Sequence, residues 1–137
     1  MPGYSATPLP KKLGINAGLR AQLFNAPADV RSELREALAE CVVAKLGTAL
    51  DFAILFSKSS AELNREFSRL SKLLAPAGML WVSWPKKSSG VATDVDEHVV
   101  RRVGLDAGLV DVKVCAVTDV WSGLKFVRRV KDRKPST

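Results

Sequence analysis

Two spacings of apolar residues alternate along this chain. Short runs at Asp51–Phe56 and Met79–Trp84, and a shorter one at Arg20–Phe24, have the length and composition of strands in an α/β sheet. Between them the apolar positions fall three and four apart. Val30, Leu34, Ala37 and Leu38 mark a helix that Asp29 caps and that runs to about Glu40. Leu63, Phe67, Leu70 and Leu74 mark a second, capped by Ser60 and ended by Pro76-Ala77-Gly78. A third is predicted to open at a capping box of Thr93 and Asp96, to bury Val95, Val99 and Val103, and to end between Gly104 and Gly108. Cys41–Lys45 reads as a further short strand bounded by Gly47.

The last third changes period. Val110–Val117 and Leu124–Val130 are β-rich runs joined by the turn Thr118–Gly123, which together form an antiparallel hairpin. Strand and helix alternate through the rest, and that order requires right-handed crossovers between parallel strands. The predicted fold is α/β, a Rossmann-like three-layer sandwich whose mainly parallel sheet ends in a C-terminal antiparallel hairpin. Residues 1–14, with Pro2, Pro8 and Pro10, are expected to form an irregular arm; residues 15–130 a single α/β domain; residues 131–137 a basic flexible tail.

Composition adds limits rather than chemistry. An apolar fraction of 47% beside 26% charged residues is that of an ordinary globular domain. No apolar run nears the length of a bilayer span, and the N-terminus lacks a basic region followed by an apolar one, so a cytoplasmic protein without membrane contact is expected. Cys41 and Cys115 sit among apolar neighbours outside any C-x-x-C pair, and one histidine leaves no metal-ligand spacing, so inert thiols and no metal site are expected. The net charge is +7, and Arg128–Lys134, with five cations and one anion, carries +4 of it. That tail raises nucleic acid as a partner.

In a parallel sheet the loops that follow successive strands emerge on one edge. Asn25–Ala28, Ser57–Ser60 and Trp84–Gly90 should therefore share a rim, with Lys58, Lys86, Lys87, Ser88 and Ser89 around a crevice suited to phosphate, carboxylate or sulfate. Lys11 and Lys12 are secondary candidates. Asp94, Asp96 and Glu97 work against an anion there, because they are placed in the first turn of the next helix and answer its dipole themselves. The order of Lys86–Gly90 is not that of a P-loop, whose lysine follows a glycine-rich turn and opens a helix. Trp81 and Trp84 differ in parity and face opposite sides of the sheet, Trp81 as core and Trp84 at a strand end where it can stack on a flat ligand. Trp121, in a turn, is read as cover for the N-terminal arm. His98 lies on the polar side of its helix with no nucleophile to activate, and no catalytic set is recognised.

Two resemblances rest on these strings and this order. Gly3-Tyr4-Ser5, Thr7-Pro8-Leu9, Lys11-Lys12-Leu13-Gly14, the stretch Trp84–Gly90, Thr93-Asp94 and Trp121-Ser122-Gly123 resemble a family of short bacterial proteins of unknown function, which implies one intact domain. The architecture resembles a shortened S-adenosylmethionine-dependent methyltransferase. That resemblance implies a glycine-rich loop after the first strand and an acid closing the second; here stand Asn25-Ala26-Pro27-Ala28, without glycine, and Lys45, without an acid. No cofactor is expected on this ground, with S-adenosylmethionine or a nucleotide as the exception. The leading expectation is a non-catalytic domain that binds a small anionic ligand or partner at the C-terminal edge of the sheet. The alternatives are a degenerate methyltransferase-like or nucleotide-using enzyme, and nucleic-acid binding through the basic tail. The oligomeric state is left open.

Overall fold

A computed structural model describes residues 7–43 and 49–133 of the chain. The expected strand Cys41–Lys45 is seen as Val42–Val43, its remainder lying outside the described residues, as do Gly3-Tyr4-Ser5 and the end of the basic tail.

Six strands form one sheet: β1 (Arg20–Phe24), β2 (Val42–Val43), β3 (Leu50–Phe56), β4 (Leu74–Pro85), β5 (Leu109–Ala116) and β6 (Trp121–Arg128), in the order β2-β1-β3-β4-β6-β5. The first four are parallel, and β6 runs antiparallel to both β4 and β5. Side-chain parity along β3 assigns the layers. Ala53 and Leu55 point into a core beneath α3 (Ser60–Ser71) and α4 (Glu97–Asp106), with Leu63, Phe67, Leu70 and Val100. Phe52, Ile54 and Phe56 point to the other face, where α1 (Leu9–Leu13) and α2 (Ala28–Ala39) supply Leu9, Leu13, Val30 and Leu34. Trp81 lies in the second core and Trp84 in the first, on opposite faces as their parity requires. The three-layer α/β sandwich with a mainly parallel sheet and a C-terminal hairpin is therefore the observed fold.

Several local expectations are corrected. The arm contains a helix, because Pro8 is its N-cap and Pro10 lies in its first turn, where a missing N–H has no intrahelical partner to lose. The buried Trp81 Nε1 donates to the Leu13 carbonyl at 2.9 Å and ties that helix to the sheet. Pro76-Ala77-Gly78 does not end α3 but bulges within β4, where Leu50 pairs with Leu74 and Phe52 with Met79. A Cβ on Gly78 would stand 2.5 Å from the Leu50 carbonyl oxygen, so the close strand approach requires glycine there. Ser59, not Ser60, caps α3 by accepting from the Glu62 N–H. Asp96 caps α4 by accepting from the Val99 N–H, and Gly104 lies inside that helix rather than at its end. The tail begins with a single turn, Val130–Asp132, and Arg128 donates to the carbonyls of Ser71 and Leu74.

At the end of the sheet remote from the strand C-termini, Arg20 grips Asp51 across β1 and β3. Its Nε and backbone N–H reach Oδ2 at 2.9 Å each, and its Nη2 reaches Oδ1 at 3.1 Å. The hydrogen bond from the guanidinium holds the Asp51 carboxyl below the usual carboxylate range. A depressed carboxylate stabilises the fold above its unfolded value of about 3.9, and that contribution disappears as pH falls through the lower folded value. Asp51→Asn is therefore expected to lower Tm by about 2–4 °C at pH 7. The difference from wild type should shrink in melts recorded below pH 3, and an undiminished difference there would exclude the ion pair as its source.

Candidate functional site

The parallel register brings three strand ends to one rim. Phe24 pairs with Leu55, and Phe56 with Ser83, so the loops after β1, β3 and β4 leave from the same edge. The Ser57 N–H donates to the Ser83 carbonyl at 3.0 Å, fixing the first residue of the β3 loop to β4. The hairpin joins this rim, since Trp121 pairs with Pro85.

A cleft of about 420 Å³ opens there, lined by Asn25, Pro27, Phe56, Lys58, Glu62 and Trp121. It stands where the connections part: from β1 the chain runs outward to β2, then returns to β3 and continues to β4. Such a switch point leaves a crevice outside the carboxyl ends of the strands, where open α/β sheets bind ligands. Asn25 has φ +60°, the only non-glycine left-handed residue among those described. Asparagine tolerates this conformation better than most side chains, so it makes a tight exit from β1 without glycine. Trp121 packs edge-on to Phe56, with ring centroids 5.2 Å apart and planes at 79°. The Ser57 hydroxyl has its one proton within reach of the Ser59 carbonyl at 3.0 Å and of Glu62 Oε1 at 3.2 Å, and Glu62 Oε2 has no partner among the described residues. Lys58 is exposed and unpaired there. One wall is thus aromatic, and the cleft carries one cation, one carboxylate and one side-chain amide.

Of the residues expected from the sequence, only Lys58 lines this cleft. Lys87 and Ser88 are exposed on the turn Lys87–Ser89. Ser89 is engaged within its own loop, donating to the Lys86 carbonyl at 2.6 Å and accepting from the Val91 N–H. The Lys86 N–H donates to the Val120 carbonyl at 2.7 Å, which ties the loop to the hairpin. Trp84 is 5% exposed within the core beneath α4, so the expectation that it stacks on a ligand is corrected. Lys12 lines a larger groove of about 800 Å³ between α1 and α2, and Lys11 is exposed on α1. Asp94 is not in the first turn of α4: its carboxylate accepts from the Ser60 N–H at 2.8 Å and the Ser60 hydroxyl at 2.7 Å, and so occupies the N-terminus of α3. Three helices start on this rim: Asp94 and Asp96 answer the starts of α3 and α4, whereas Pro27 is the N-cap of α2, with Asp29 in its first turn rather than capping it.

Sequence reasoning missed Glu62 and Trp121. The first carried a signal, since Ser59 and Glu62 have capping-box spacing, although the Glu62 side chain turns to Ser57 instead. Trp121 carried none until its register with Pro85 placed it on the rim.

His98 is exposed, and no group of metal-ligating side chains occurs among the described residues. Burial pushes the Cys41 and Cys115 thiols up, against thiolate formation. No helix among the described residues is long and apolar enough to cross a membrane.

No protein-family model and no curated protein matches the chain, so its likeness to an uncharacterised bacterial family rests on the quoted strings alone. Solved structures do match. Magnesium protoporphyrin IX methyltransferase from Synechocystis PCC 6803, crystallised with SAH and with SAM, superposes with a TM-score of 0.57 at 14% identity, over 88% of this chain and 78% and 74% of the two matched chains. Precorrin-6y C5,15-methyltransferase from Geobacter metallireducens GS-15 gives 0.58 at 10% identity, over 88% of this chain and 86% of that one. A SAM-dependent methyltransferase from Aquifex aeolicus gives 0.55 at 12% identity, over 85% of each chain. The chain has the Rossmann-like fold of SAM-dependent methyltransferases. The expectation of no cofactor is corrected accordingly, since the same fold holds SAM and SAH in the Synechocystis enzyme.

Proposed function

We propose that this chain is a methyltransferase-like domain that binds S-adenosylmethionine or S-adenosylhomocysteine in the cleft at the β1/β3 switch point. The observation that carries this reading is the convergence of Asn25, Phe56, Lys58, Glu62 and Trp121 at the strand ends of a fold shared with SAM-dependent methyltransferases. The ligand presents a carboxylate, an ammonium, ribose hydroxyls and a flat base. Lys58 suits the carboxylate, the free oxygen of Glu62 suits an ammonium or a hydroxyl pair, and the Trp121 ring suits the base or a sulfonium charge. Asn25 takes the place of the glycine turn. No acid stands at residues 44–48, so Glu62 is the carboxylate nearest in role to the one that the family places after its second strand. When bound, S-adenosylmethionine supplies a methyl group on a cationic sulfur, open to attack by a nucleophile.

Titration calorimetry with S-adenosylhomocysteine tests the reading. Saturable heat is expected, together with a rise in Tm; ligand at a hundredfold excess over Kd stabilises by about 2.7 kcal/mol. Lys58→Ala combined with Glu62→Gln should abolish both signals while the unliganded melt moves little, since Lys58 is exposed and glutamine keeps an acceptor for the Ser57 hydroxyl. Absence of heat and of any Tm change with either ligand would overturn it.

A further inference from the structure

We propose that Thr93 and Asp94 are positioning residues for this cleft: the loop that leaves β4 reaches back and clasps the loop that leaves β3, holding Lys58 and Glu62 toward the ligand. The inference rests on the cofactor-binding reading and deepens it.

The clasp has two fingers. The Thr93 hydroxyl donates to the Lys58 carbonyl at 2.7 Å and accepts from the Val95 N–H at 3.0 Å, so both its hydrogen-bonding roles are filled. Asp94 takes the N–H and the hydroxyl of Ser60 through its two oxygens. Together they bracket Ser59, whose own hydroxyl accepts from the Glu62 N–H at 3.3 Å. On the other flank Ser57 is 2% exposed and bonded to β4 through its N–H, while its hydroxyl meets Glu62. Residues 57–62 are thereby held by β4 and by one foreign loop, and the Lys58 side chain is left to face the cleft. The hydrogen bonds from Ser60 also hold the Asp94 carboxyl below the usual range, which keeps it a charged acceptor.

This gives the Trp84–Gly90 string a role that does not depend on anion binding. Lys86 is anchored to Val120, Ser89 closes the turn, and Gly90, at φ +77°, redirects the chain toward Thr93. The string is a strap, and Thr93-Asp94 is its buckle. Restricting a loop before the ligand arrives lowers the ordering cost of binding.

The test uses the full chain, S-adenosylhomocysteine as probe, and amide hydrogen exchange. In the Thr93→Val, Asp94→Asn double variant, Kd is expected to rise about tenfold, exchange at Lys58–Glu62 to accelerate, and Tm to fall by only a few degrees. Thr93→Ser, which keeps the hydroxyl, should retain wild-type Kd and exchange. Asp94→Asn alone should give an intermediate result, so the inference stays testable if the double variant folds poorly. Unchanged Kd, or a rise in Kd that Thr93→Ser reproduces in full, would overturn the clasp. If the wild-type chain binds no S-adenosylhomocysteine, the cofactor reading fails on its own; the clasp is then judged by exchange, and unaltered protection of Lys58–Glu62 in the double variant would end it.

Discussion

Gly104→Val is expected to remove a large part of the stability of this domain. Gly104 lies inside α4, where the helix meets β6, and a Cβ there would stand 2.0 Å from Phe126 Cε1 and 2.5 Å from two further atoms of the ring. The ring cannot swing away cheaply. Phe126 is fully buried and packs edge-on against Phe67, with centroids 5.3 Å apart, so α4 would have to lift from the sheet. Overpacking of this kind costs about 3 kcal/mol or more, against a total stability of roughly 5–15 kcal/mol. A fall in Tm of about 10 °C is expected for Gly104→Val. Gly104→Ala separates the two opposing effects, because alanine gains about 1 kcal/mol of helix propensity while still meeting the ring. A Tm at or below wild type for alanine and far below it for valine is the expected order. A clear rise for alanine would mean that the ring has room to move.

Gly104 also marks where sequence reading stops. Its spacing from Gly108 suggested a helix end, because glycine is poor in helix interiors, and nothing local announces that a phenylalanine on a distant strand needs its space. The same limit explains Pro76-Ala77-Gly78, a turn signal that tertiary pairing with Leu50 converts into a strand bulge. Features fixed by local periodicity were readable: the strands of the buried sheet, the opposed faces of Trp81 and Trp84, and the closing hairpin. The shared rim was readable as well, because parallel crossovers dictate which strand ends coincide. Which side chains on that rim face one another was not. Lys58 was visible as a charged loop residue, but Glu62 looked like helix surface, and Trp121 reaches the cleft only through antiparallel pairing of β6 with β4. Asp94 looked like a cap for the helix that follows it and instead caps the one that precedes it, a contact across 34 residues that no window of sequence contains.

Trp84 is buried in the core beneath α4, whereas Trp121 packs against the cluster that holds the arm and also lines the cleft, and substitution should separate the two. Trp121→Ala removes the aromatic wall of the cleft and exposes one edge of Phe56. Stacking of a base on an aromatic side chain contributes about 1–3 kcal/mol, so S-adenosylhomocysteine should bind about ten- to a hundredfold more weakly. Trp121→Phe keeps a flat face and should recover most of that affinity. Stability should also fall in Trp121→Ala, though by less than for a fully buried aromatic, because the residue is only partly buried. Trp84→Phe leaves the cleft untouched and enlarges a space in the core beneath α4, so its expected effect is a lower Tm with Kd unchanged within about twofold. Calorimetric titrations beside thermal melts of the three variants distinguish the assignments. If Trp84→Phe weakened binding as much as Trp121→Ala, the ligand would have to sit over β4 and the Lys86–Ser89 turn, and the switch-point cleft would lose its claim to the cofactor.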